Sequence, residues 1–139
     1  MSNTLFVAEK AVTTFQDLDA YDPSMFQRNG SWTEGNWDHT LFSTSYPPNY
    51  WKDGNLSSWW AWFRGASSLH PGGFNALMGD GSARFIKDSI QSWPTDPLSG
   101  YPAGASKTTG GWWANVPRPG VWQALGTRSG GELSDNSGY

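Results

Sequence analysis

Phe74-Asn75-Ala76-Leu77-Met78-Gly79-Asp80-Gly81-Ser82-Ala83-Arg84-Phe85-Ile86 is two short apolar runs joined by a Gly-Asp-Gly-Ser connector. Asp-Gly between β-like runs is a strong local signal for a hairpin, because both residues tolerate positive φ. The stretch predicts two antiparallel strands, over 74–78 and 83–86, with the chain reversing over 79–82. Upstream, the run Asn-Thr-Leu-Phe-Val-Ala-Glu-Lys-Ala-Val over 3–12 is rich enough in β-forming side chains to be a central strand, with Glu9 and Lys10 marking its exit. Trp59-Trp60-Ala61-Trp62-Phe63 is apolar without a break and reads as a strand covered on both faces or lying in a subunit contact.

Outside these runs, turn chemistry dominates. From 15 to 50 no period of either kind is sustained, and Pro23, Asn29-Gly30, Gly35 and Pro47-Pro48 punctuate the segment. Residues 88–93 predict one helical turn before Pro94, 95–120 reads as a long loop, and 121–125 as a short helix or strand before a polar tail. With 17 Gly and 9 Pro, long helices are excluded. The expected fold is β-rich, α+β with minimal helix: a small antiparallel sheet with a β-hairpin and long Trp/Gly/Pro-rich loops, in a single domain over 1–139.

Composition bounds the function. Hydrophobic residues are 37%, aromatics 16% and charged residues 15%, the profile of a chain that folds. A net charge of -3 with scattered basic residues gives no cationic stripe for nucleic acid or anionic lipid. The chain has no cysteine, which excludes disulfides and thiolate chemistry. No window approaches a membrane span, and residues 1–10 lack the basic start and apolar run of a signal peptide, so export implies a targeting segment removed from or outside this sequence.

Ser68-Leu69-His70-Pro71-Gly72-Gly73-Phe74-Asn75 precedes the hairpin, and nine residues separate His70 from Asp80-Gly81. This spacing resembles the prepilin-type processing-associated family, whose mark is a His, nine residues, then Asp-Gly. Ser2-Asn3-Thr4-Leu5-Phe6-Val7-Ala8-Glu9-Lys10 is similar to that family's upstream strand, and Leu125-Gly126-Thr127-Arg128-Ser129-Gly130-Gly131-Glu132 to its closing motif. The resemblance implies a pilin-like globular domain. Its members begin with a cleavable leader and a long hydrophobic helix and are exported as pseudopilin-like components; this sequence has neither, so the expected domain lacks the N-terminal helix. A sheet without that neighbour exposes strand edges and apolar faces, which copies of the chain can cover. The resulting expectation is an extracellular or cell-surface homo-oligomer, in the form of a pilus-like filament.

The motif residues, His70, Gly72, Gly73, Asp80, Gly81, Arg84, Glu9, Thr127, Arg128, Gly130, Gly131 and Glu132, are expected to be structural. A His70–Asp80 pair invites an acid/base or metal reading, but Asp80 suits its turn, His70 the loop before Gly72-Gly73, and no third catalytic group accompanies them. Glu9, Asp80 and Glu132 are expected to pair with Lys10, Arg84 or Arg128. Asp17, Asp19 and Asp22 fail the calcium-loop spacing because Tyr21 stands where an oxygen ligand is needed. No enzyme activity, cofactor or metal is expected. Of ten tryptophans, Trp32, Trp37, Trp51, Trp59, Trp60, Trp62, Trp112 and Trp113 are the interface candidates; an exposed coplanar set stacking on sugars is the alternative reading, a carbohydrate-binding module. Asn29 and Asn55 match the glycosylation acceptor pattern.

Overall fold

A computed structural model describes residues 4–11, 40–53 and 64–127. Strands β1 (Leu5–Ala8), β2 (Gly73–Met78) and β3 (Ala83–Lys87) form an antiparallel sheet in the order β1-β2-β3. A second, two-stranded sheet pairs β4 (Ser106–Lys107) with β5 (Trp113–Ala114). Helix α1 (Val121–Leu125) and a 3-10 turn (Tyr50–Asp53) complete the regular elements. The architecture is β-rich with little helix, as the turn-dense composition requires.

The β2–β3 hairpin forms where the sequence places it, with Phe74 opposite Ile86 and Leu77 opposite Ala83. Its turn differs from expectation in one respect. Gly81 alone takes positive φ, at +82°, while Asp80 contributes through its carboxylate, which accepts from the Ser82 N–H at 3.0 Å and the Ser82 hydroxyl at 2.6 Å. This is a turn closed by a glycine in the left-handed region, with an Asp side chain replacing a backbone acceptor.

β1 is an edge strand, not the central one; β2 lies between β1 and β3 because the hairpin takes one edge of β2 and β1 takes the other. A register shift between Leu5 and Val7 turns two neighbouring residues of β1 away from the core. Residues 88–93 form a turn followed by irregular chain, not a helical turn: Ile90 N–H donates to the Lys87 carbonyl, and 91–93 carry no regular structure. The stretch expected as a loop over 95–120 contains the β4–β5 hairpin. The apolar run 59–63 lies outside the described residues.

Alternation along β2 puts Phe74, Ala76 and Met78 on one buried face, joined by Leu5 and Ile86. Helix α1 closes that face. Trp122, fully buried, meets Phe74 edge-on at 5.6 Å and 83°, and Leu125 packs into the same cluster. Each such side chain contributes about 1.5–3 kcal/mol through burial. The helix starts at Gly120 because Gln123 folds back to accept its N–H at 3.1 Å, half of a capping box. Buried Gln123 is fully engaged: its Oε1 also accepts from Trp93 N–H, and its Nε2 donates to the Thr44 carbonyl and the Ser92 hydroxyl.

Candidate functional site

Two of the motif residues, Glu9 and His70, meet at the exit of β1. Glu9 Oε2 accepts from the Asn75 backbone N–H at 3.0 Å and Oε1 from Asn75 Nδ2 at 2.9 Å, while His70 Nε2 lies 3.3 Å from Oε1. Ser68 also hydrogen-bonds the carboxylate. Partial burial works to raise the Glu9 carboxyl, but the donors from Ser68 and Asn75 and the adjacent His70 outweigh it and hold the group at about 2. A carboxylate held so low is a weak base. The Ser68, His70 and Glu9 side chains also lack the order of a catalytic triad, since the carboxylate, not the imidazole, receives the hydroxyl. The arrangement is a clasp joining the 67–70 loop to β1 and β2, reinforced by the Ser67 N–H on the Glu9 carbonyl at 3.0 Å.

His70 and Asp80 do not meet. They lie beyond opposite ends of the six-residue strand β2, a span of about 20 Å. Between them Gly73 is required by close approach: a Cβ there would stand 2.2 Å from the Ile86 carbonyl oxygen and 2.7 Å from the Phe85 ring. Gly72 turns the chain into the strand at φ +76°. Arg84 is half-buried on β3 opposite Ala76. Thr127 bonds the Ala124 carbonyl through its hydroxyl at 2.9 Å, and its own carbonyl accepts from the Thr4 hydroxyl at 3.3 Å, so the closing motif meets the start of β1. Arg128, Gly130, Gly131 and Glu132 lie outside the described residues, as do Trp32, Trp37, Trp59, Trp60, Trp62, Asn29, Asn55 and the Asp17, Asp19, Asp22 group.

Sequence reasoning missed Asn49. Only 3% exposed and at φ +52°, it accepts from the Ser68 N–H at 2.6 Å and Trp51 Nε1 at 3.3 Å and donates to the Asp88 carboxylate. Asp88 is in turn 3.2 Å from Lys52 Nζ. The signal was Asn after Pro47-Pro48, a residue type that tolerates the left-handed region at a turn.

A cleft of about 440 Å³ is lined by Ser43, Ser45, Tyr46, Arg64, Trp93, Tyr101, Lys107 and Trp113, with Pro102 and Val116. Tyr101 and Trp113 rings stand 4.7 Å apart, and Lys107 Nζ lies 5.9 Å and 5.3 Å from their centroids. The Ser43 N–H on the Arg64 carbonyl at 2.6 Å and Trp93 Nε1 on the Ser45 carbonyl at 3.0 Å fix two of the walls. Asp96, whose carboxyl is held below its usual range mainly by the Ser99 N–H and hydroxyl and by the Leu98 N–H, shapes the turn that presents Tyr101. Burial pushes the Tyr46 hydroxyl up, with the hydrogen-bonded Arg64 acting in the opposite sense. Of the interface tryptophans that are described, Trp113 lines this cleft, Trp112 is 78% exposed beside it in sequence, and Trp51 is half-buried against Asn49.

The family model described as "Protein of unknown function (DUF1559)" matches residues 1–92, which hold β1, the clasp and the hairpin. The chain belongs to this family. DUF1559 is associated with prepilin- and pseudopilin-like proteins. Within this DUF1559 chain the matched residues include Glu9, His70, Asp80 and Gly81, while α1 and the cleft hairpin β4–β5 lie beyond the match. No curated protein and no solved structure matches the chain. Among the described residues of this DUF1559 protein, no helix is long and apolar enough to cross a membrane.

Proposed function

We propose that this protein is a non-catalytic structural subunit that packs against copies of itself outside the cell, in a pilus-like assembly of the prepilin-type processing-associated kind. One observation carries the reading: among the described residues the outer face of the three-stranded sheet, polar at Asn75 and Lys87, carries a group of exposed apolar side chains. Val7 is opposite Leu77, and Phe85 lies one strand further along, diagonal to Leu77; these side chains are 49%, 37% and 47% exposed, and neighbouring Phe6 is 72% exposed. Adjacent apolar side chains on one sheet face, bounded by two edge strands, are what proteins normally cover or pair. A second copy laid on that face, or a strand added along β1 or β3, covers them. Contacts of that kind that do not close on themselves grow into filaments.

The family membership supports the pilin-like setting, and the clasp supports a structural role for the motif, since Glu9 and His70 are engaged in joining segments. Sedimentation velocity and negative-stain microscopy of the purified chain test the proposal. Self-association that rises with concentration, with regular assemblies on the grid, is the expected result. A single monomeric species throughout the micromolar range would sink it.

A further inference from the structure

The cleft beside β4–β5 shares no residue with Phe6, Val7, Leu77 and Phe85, the exposed apolar group on which the proposed packing rests. Its volume, about 440 Å³, falls within the range of small-molecule sites, roughly 300–1,000 Å³. Its walls are chemically uneven. Aromatic rings of Trp93, Tyr101 and Trp113 face it, Arg64 and Lys107 enter it, and among its described lining residues there is no carboxylate, in a chain whose net charge is -3. Concentrating two of nine basic residues around one aromatic cleft runs against that overall balance.

We infer that the cleft binds one acidic sugar residue, a uronate unit of an anionic polysaccharide. The Tyr101 and Trp113 rings, with centroids 4.7 Å apart and planes tilted by 59°, form an aromatic corner, and the C–H face of a pyranose stacks on one of its two ring faces. Lys107, already over both rings, sits where it meets a carboxylate carried at the edge of a stacked sugar. Arg64 supplies a planar donor fork, and the Ser43 and Ser45 hydroxyls are short donors and acceptors matched to ring hydroxyls. An acidic peptide would use the cations but not the aromatic floor, so the floor favours the sugar. The residues that shape the cleft are fixed by the backbone bonds at Ser43 and Ser45 and by the Asp96 turn, so the site is formed before any ligand arrives.

Isothermal titration calorimetry of the whole chain with oligogalacturonate, with a neutral galactan oligomer of equal length, and with oligoglutamate tests the inference. Saturable binding of oligogalacturonate, with the neutral oligomer at least about tenfold weaker, is expected, because a charge-assisted hydrogen bond contributes on the order of one decade or more in affinity. Lys107→Gln and Trp113→Ala, both at exposed positions of the short hairpin, are each expected to weaken oligogalacturonate about tenfold while the circular dichroism spectrum stays unchanged. Equal binding of the neutral oligomer overturns the role of the cations. Oligoglutamate binding as tightly, with Trp113→Ala indifferent, overturns the sugar in favour of a bare charge site, and no binding of any probe overturns the site itself. Mass by light scattering on the same preparation keeps these outcomes separate from failure of self-assembly.

Discussion

At the residue scale, two side chains act by what they hold. Glu9 has a folded pKa of about 2 against an ordinary 4.5, so it binds protons less readily in the folded chain than in the unfolded one. Its contribution is therefore complete above pH 4.5 and is lost as pH falls toward 2. Urea midpoints measured across that window are expected to drop in the wild type, and Glu9→Gln is expected to flatten the slope while costing about 1–2 kcal/mol at neutral pH. A variant with an undiminished slope would place the acid sensitivity in other carboxylates. Asn49 is the more costly loss. Asn49→Ala removes the acceptor for the Ser68 N–H and the donor to Asp88, and puts a residue less tolerant of φ +52° in its place. A loss of about 3 kcal/mol in chemical denaturation is expected, against about 1 kcal/mol for a typical surface change.

At the element scale, the hairpin and its partners separate what local sequence encodes from what it leaves open. Gly73 starts β2 under the Phe85 ring and against the Ile86 carbonyl, so Gly73→Ala has to push β3 away to fit a Cβ. A loss of about 2–3 kcal/mol in thermal or urea denaturation is expected; a neutral result would mean that the two strands part more easily than their register implies. The β2–β3 pairing was legible because its signal, two apolar runs around Asp80-Gly81, lies within fifteen consecutive residues. The β1–β2 pairing joins Leu5 to Met78, far apart in sequence, and nothing local to either strand specifies which edge β1 takes. The apolar character of β1 was read correctly and its central position was not, since the same composition serves a strand with a bulge and two exposed side chains. Tryptophan shows the same limit. Trp122 is fully buried against Phe74 and Trp112 is 78% exposed, yet the indole is identical, and only the tertiary neighbours distinguish them. The cleft was illegible for a related reason: its walls come from segments around 43–46, 64, 93, 101 and 107–116, which no local pattern links.

At the scale of the whole molecule, the described part of the β-sheet is covered on one face by α1 and carries exposed apolar side chains on the other, and the proposed self-packing rests on that second face. Val7 and Phe85 are the decisive positions because both lie on that face, on the two edge strands, and are about half exposed. A lysine at either site places a desolvation cost in any contact that covers the face, while in the free chain its charge stays in water. Val7→Lys and Phe85→Lys are therefore expected to shift sedimentation toward monomer, with the unfolding free energy from urea denaturation changed by less than about 1 kcal/mol. Trp112→Ser, more exposed than either and on the cleft hairpin, is expected to leave the mass distribution as it is. If both lysine variants assemble like the wild type and Trp112→Ser does not, the sheet face is a bystander and the contact belongs to the β4–β5 side. A loss of assembly accompanied by a large drop in stability would indicate that the lysine had disturbed the sheet itself. At such exposed positions stability and association can move independently, and the expected pattern is a change in the second alone.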